Sequence, residues 1–182
     1  MKIRHLLLVV LVFVFRGLAT AQSLDPATQA KVDAQVKTIT SWAADPVIVE
    51  AVKAHNASVP ADQLAMNQEK WKELTVLDPF VRAFAKSAAG QYLKAKKSEV
   101  ITEAFLSDAQ GLKVAFIAKT ENWSHKGKAK HDVPMTGKNW QGPVEMKGNT
   151  GVQQLQISVP VLDGGKPIGS LVVGLSFSKI NQ

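Results

Sequence analysis

The stretch Val100–Ala118, VITEAFLSDAQGLKVAFIA, decides how the chain is read, because its apolar residues recur with a period of two on either side of a turn. Val100, Thr102, Ala104 and Leu106 share one face of a predicted strand, and Leu112, Val114, Phe116 and Ala118 share one face of the next. Ser107-Asp108-Ala109-Gln110-Gly111 joins them as a turn. A second hairpin follows further on. Leu155, Ile157, Val159 and Val161 alternate with Gln154, Gln156, Ser158 and Pro160, then Asp163-Gly164-Gly165-Lys166 turns the chain into Leu171, Val173, Leu175 and Phe177.

Upstream of Lys97 the period is helical. Asp-Pro occurs at Asp25-Pro26, Asp45-Pro46 and Asp78-Pro79, and each suits a helix start: the carboxylate caps a free N–H, and proline at the first helical position loses no needed donor. Val32, Val36, Ile39 and Ala43 draw an apolar stripe after the first, and Phe80, Phe84 and Ala88 repeat it after the third. Between them lie a loop at 56–60 and a short helix carrying Leu64, Trp71 and Leu74, with Trp71 read as a core residue. The apolar side of the strands needs cover, and the striped helices are the available layer. The expected architecture is α+β, an antiparallel sheet of about five strands with N-terminal helices packed on it.

The first residues read differently. Lys2, Arg4 and His5 precede an apolar run from Leu6 to Phe15, followed by Ala19-Thr20-Ala21, the order of a signal peptide spanning residues 1–21. The run is too short to span a bilayer, so the expectation is cleavage after Ala21 and a single soluble periplasmic or secreted domain over 22–182. Losing Lys2, Arg4 and Arg16 takes the net charge from +7 to +4, and with no long basic block nucleic acid is not an expected partner. The 182 residues hold no cysteine, which excludes a disulfide framework, thiolate metal sites, a cysteine nucleophile and c-type haem attachment. No serine-hydrolase elbow, zinc-protease helix, phosphate loop or dinucleotide fingerprint is present, and no carboxylate pair stands out, so no enzymatic activity is expected. His125 and His131 are six apart, a spacing that suits neither a helix face nor a strand face, and neither a metal nor another cofactor is expected.

The second half resembles the Cache family of extracytoplasmic sensor domains, also called PDC or PAS-like. The resemblance runs from Val100 to Ile180 and is carried by short motifs in order. They are Asp108-Ala109-Gln110-Gly111, Thr120-Glu121-Asn122-Trp123, Lys138-Asn139-Trp140, Ile157-Ser158-Val159-Pro160-Val161, Gly165-Lys166-Pro167-Ile168-Gly169 and Val172-Val173-Gly174-Leu175. It implies a small-molecule pocket between the sheet and the segment crossing it, and an N-terminal helix used for dimer contact. It also implies a membrane sensor kinase, chemoreceptor or transporter as signalling partner, separate from this chain because the last predicted strand lies close to Gln182. Amine-binding members carry an acidic residue near the start of the fourth strand. Here that stretch is Gly148-Asn149-Thr150-Gly151, which points away from an amine.

Residues 119–151 are polar, glycine-rich and long for a plain connection, so they are read as a functional loop. Five lysines between 119 and 138 outnumber Glu121 and Asp132 to leave +3, which favours a small organic anion such as a carboxylate. Trp123 and Trp140 are the expected pocket walls, since large aromatics in a polar loop need an apolar surface to cover. Lys119, Asn122, His125, Lys138, Gln153 and Arg82 complete the candidate ligand-binding set. The competing readings are core packing for the tryptophans and an ordinary solvated face for the lysines, in a scaffold protein of the same fold without a pocket.

Overall fold

The computed structural model describes residues 24–147 and 151–182. The expected signal peptide and most of the Gly148–Gly151 stretch lie outside these residues. Helices α1 (Pro26–Ala43), α2 (Pro46–Ala57), α3 (Ala61–Leu64), α4 (Gln68–Glu73), α5 (Pro79–Lys86) and α6 (Ala88–Ala95) precede the sheet. Strands β1 (Ile101–Asp108) and β2 (Lys113–Phe116) form the first hairpin, α7 (Ala129–Asp132) and a 3-10 turn (Pro134–Thr136) follow, then β3 (Trp140–Lys147), β4 (Val152–Asp163), β5 (Lys166–Ser176) and α8 (Phe177–Ile180). The five strands are antiparallel in the order β2-β1-β5-β4-β3.

All three Asp-Pro pairs start helices. The carboxylates of Asp25, Asp45 and Asp78 accept from backbone N–H groups of the first turn, and proline occupies the opening position each time. The stripe expected to run from Phe80 through Ala88 is cut at Ser87, which ends α5 and caps α6 by accepting from the Gly90 N–H. Gly164 and Gly165 have φ of 54° and 81°, the paired positive values that a two-residue hairpin with right-handed strand twist requires.

One face of the sheet carries the main core: Ala104, Leu106, Leu155, Ile157, Val159, Leu171, Val173 and Leu175 pack beneath Val32, Ile39 and Ala43 of α1, Ile48 and Val52 of α2, and Leu93 of α6. Val32 and Ile39 are fully buried there. The α1 stripe is therefore committed to the chain's own sheet, so the dimer contact that the resemblance implies for the N-terminal helix is not available to this stripe.

The opposite face is not simply polar. Phe105 and Phe116 oppose each other across β1 and β2 and join Trp71, Val81, Phe84, Trp123 and Val172 in a second core. This changes the expected parity of the first hairpin. A bulge between Ile101 and Glu103 places Ile101, rather than Thr102, with Ala104 on the helix-covered side. In and around β2, Ala115 takes the helix-covered core, Leu112 and Phe116 belong to the second, and Ala118, beyond the strand, is exposed. A sheet buried on both faces lacks the one-sided alternation on which the reading relied.

The segment read as a loop over 119–151 contains a strand, β3. Gly142 and Pro143 interrupt β3, whose register against β4 shifts between Gln141 and Val144, so no clean alternation marked it. Proline is tolerated there because β3 is an edge strand. At the other end β5 stops at Ser176, and Phe177 opens a helical turn instead of extending the strand.

Candidate ligand-binding site

On the second face, beside the aromatic core, lies a cavity of about 660 Å³. The sheet forms its floor with Glu103 and Phe105 of β1 and Gln154 and Gln156 of β4, Glu145 and Met146 of β3 form one side, and Lys119–Asn122, His125 and Lys130 form the other.

The floor is a connected polar network. The Thr102 hydroxyl donates to Gln154 Oε1 at 2.8 Å, Gln154 Nε2 donates to Glu103 Oε1 at 3.2 Å, Gln156 Nε2 donates to the same oxygen, and Lys130 Nζ donates to Gln156 Oε1 at 2.6 Å. Such a network holds each amide in one orientation and leaves a defined set of donors and acceptors on the cavity wall. Burial lowers the Lys130 pKa against the opposing pull of Glu103 and Glu145.

The aromatic core sets the other wall. Trp71 Nε1 donates to the Thr120 carbonyl at 2.8 Å, and Gln68 of α4 both donates to the Glu121 carbonyl and accepts from the Trp123 N–H at 2.8 Å. These bonds tie residues 120–123 to α4 and so position Lys119, which precedes them. Its Nζ stands 4.6 Å over the Trp71 ring, and burial lowers its pKa. Gly111, at φ 77°, lets the hairpin turn approach the same loop: a Cβ there would lie 2.5 Å from the Lys126 nitrogen, and the Gly111 carbonyl accepts from the His125 N–H at 2.9 Å.

His125 stacks on Phe105 with ring centres 4.4 Å apart and planes at 17°. Its Nδ1 lies 2.6 Å from Nζ of Lys113, a lysine with no exposed surface. Burial above all pushes the imidazole down to about 2, so the ring is neutral at physiological pH.

Of the eight residues singled out from the sequence, Lys119, Asn122 and His125 are brought together on this cavity. Trp123 is elsewhere: it is 4% exposed, with its ring 5.2 Å from that of Trp71, and it is a core residue supporting the wall from behind. Trp140 is half-buried at the start of β3, folded over Gly142. Lys138 and Gln153 are exposed away from the cavity, and Arg82 is exposed on α5, as the Phe80/Phe84 stripe turns it outward. The charge of the loop does not carry over either. Lys126, Lys128 and Lys138 face solvent, and the cavity is lined by Lys119 and Lys130 together with Glu103, Glu121 and Glu145.

Glu103, Phe105, Gln154, Gln156 and Glu145 were not singled out from the sequence. Gln154 and Gln156 were visible as the polar half of an alternating strand, a pattern shared by any strand that faces water on one side. Among the described residues no group of three or more His, Asp or Glu is placed to hold a metal ion.

No family model matches the chain, and no curated protein matches it. Solved structures do. It is similar to the ligand-binding domain of the Pseudomonas aeruginosa PAO1 amino acid chemoreceptor PctC in complex with GABA, at 15% identity and a TM-score of 0.51, covering 85% of this chain and 57% of that one. It is also similar to the Escherichia coli DcuS sensor domain (16%, TM-score 0.44, covering 86% and 96%) and to the sensor domain of the Vibrio cholerae histidine kinase DctB (13%, TM-score 0.39, covering 86% and 58%). The chain thus spans a little over half the length of the PctC domain. The likeness to the PctC domain establishes that the chain has the fold of that chemoreceptor ligand-binding domain, the α+β sensor-domain fold expected from the Cache resemblance. No helix among the described residues is long and apolar enough to cross a membrane.

Proposed function

We propose that the chain is a small-molecule sensing domain acting outside the cytoplasm after loss of residues 1–21, and that its ligand is a small carboxylate carrying a second, hydrogen-bond-donating group. The observation that supports this reading is the cavity itself, on which two partly desolvated lysines and three glutamates converge. A carboxylate at Lys119 and Lys130 offsets the cost of holding these ammonium groups away from water. A hydroxyl or ammonium on the same molecule matches Glu103, Glu121 and Glu145. This refines the plain anion expected from the loop's charge. A separate membrane receptor, kinase or transporter is the partner to which the bound state passes.

Calorimetry with acetate, lactate, succinate, GABA and butylamine tests the proposal. The carboxylates with a second, hydrogen-bond-donating group, lactate and GABA, are expected to bind in the micromolar range, about −8 kcal/mol, with acetate and succinate weaker and butylamine weakest. Lys119→Met and Lys130→Met are each expected to weaken binding about tenfold or more, corresponding to the loss of a charge-assisted hydrogen bond. Absence of binding across the panel would transfer the assignment to a scaffold that docks on a partner through this fold. The intact mass of the exported protein reports whether cleavage follows Ala21.

A further inference from the structure

Lys113 has no role in the network described so far, yet it is the most unusual residue of the second face. It sits on β2 with no exposed surface, its Nζ 5.2 Å over the Phe105 ring and 2.6 Å from His125 Nδ1. Among the described residues it makes no ion pair. The charged and titratable groups facing the pair are Glu103 and Asp108 from β1, Lys130 and His131 from α7, and Lys128 from the preceding loop. Asp108 is engaged by His55 and by the turn N–H groups of Gln110 and Leu112, Glu103 accepts from Gln154 and Gln156, and His131 Nδ1 meets the Ser170 hydroxyl at 2.8 Å.

We propose that Lys113 and His125 link occupancy of the cavity to proton uptake: an anionic ligand group accepting from His125 Nε2 draws one proton from solvent onto Lys113 Nζ. The inference rests on the carboxylate reading above. With Nδ1 turned to Lys113, Nε2 is the ring nitrogen left to the cavity that His125 lines. A neutral amine can donate to Nδ1 or accept from it, so in the empty cavity neither imidazole tautomer is enforced. An ammonium can only donate. It fixes the ring with its proton on Nε2, the form that donates to a carboxylate oxygen. Burial, together with the Lys130 charge, holds the Lys113 amine well below the usual lysine range, and a negative charge arriving on the far side of the ring favours the ammonium. The balance is one proton taken from solvent per anion bound, with no covalent step.

Two measurements decide this. In the ligand-free protein labelled with ¹³C,¹⁵N-lysine, the Lys113 Cε and Nζ resonances at pH 7 are expected at amine positions; ammonium positions would overturn the proposal without any ligand being needed. Calorimetry with lactate and GABA in buffers of different ionisation enthalpy is then expected to show uptake of about one proton per site. Lys113→Met is expected to bind about tenfold more weakly, with no buffer dependence. Binding by the wild-type protein without proton uptake would overturn the coupling and leave the carboxylate reading standing, whereas no binding by either probe would overturn both. Should Lys113→Met fail to fold, the two wild-type measurements still decide the matter.

Discussion

Trp71→Ala is expected to lower the folding stability by about 3–5 kcal/mol and the melting temperature by about ten degrees, measured by urea and thermal unfolding. Trp71 has no exposed surface and meets Phe84, Phe116 and Trp123 at ring-centre distances of 6.3, 6.1 and 5.2 Å. Truncation opens a cavity among rigid rings that cannot collapse onto it, and it leaves the Thr120 carbonyl without its indole donor. The damage reaches the candidate site, because Lys119 rests on the same indole. Trp71→Phe keeps most of the apolar volume and loses the N–H, so a much smaller loss of stability is expected, with weakened carboxylate binding. Equal, small effects of the two substitutions would show that the second core is not a stabilising unit.

Asp108→Ala is expected to cost a comparable amount, about 3–5 kcal/mol, because it removes one partner of a buried ion pair and two turn hydrogen bonds together. Asp108 Oδ1 accepts from the Gln110 and Leu112 N–H groups, and Oδ2 lies 2.9 Å from His55 Nδ1. The other ring nitrogen of His55 is 2.8 Å from Gln63 Oε1, so both face oxygens, an arrangement that favours the imidazolium. Burial of His55 works against this charge, but the hydrogen bonds to Asp108 and Gln63, aided by the carboxylate's charge, outweigh it and raise the pKa above the usual 6.5.

The sign of the pH effect follows. Protonated His55 is favoured in the folded state, so its stabilisation is fully present below about pH 6.5 and is lost as the pH rises through the higher folded-state value. Asp108→Ala should therefore cost more at pH 6 than at pH 9. Asp108→Asn, which keeps an acceptor for the turn, is expected to abolish that pH dependence at a smaller cost in stability. A wild-type stability that rises with pH across this range, with the other histidines replaced, would contradict the pairing.

Much of the fold was legible because its signals are local. An aspartate before a proline starts a helix through contacts within one turn, and it did so three times. Asp163-Gly164-Gly165-Lys166 defines its hairpin through backbone angles that only glycine adopts readily. The α1 stripe and the apolar half of β4 announced the main core through periodicity alone. From these local rules the α+β class, the antiparallel sheet and the second hairpin followed without any knowledge of the partners each residue would meet.

What the tertiary structure alone decided is which residues meet on the second face. Trp123 lies in a polar loop by sequence, but α4 and α5 bring Trp71 and Phe84 over β2, and burying three large rings together outweighs leaving one on a pocket rim. A bulge near the start of β1 exchanged Ile101 for Thr102 on the helix-covered face, and the interruption at Gly142-Pro143 concealed β3 and with it Glu145. Lys113, placed by alternation like any polar residue of a half-exposed strand, has no exposed surface because the second face is itself covered. Gln154 and Gln156 face a cavity rather than open water for the same reason. Charge, turn chemistry and period are properties of neighbours along the chain. A ligand cavity is made by residues 50 and more positions apart, as in the bond from Gln154 to Glu103, and their meeting depends on strand order and on which elements cover each face.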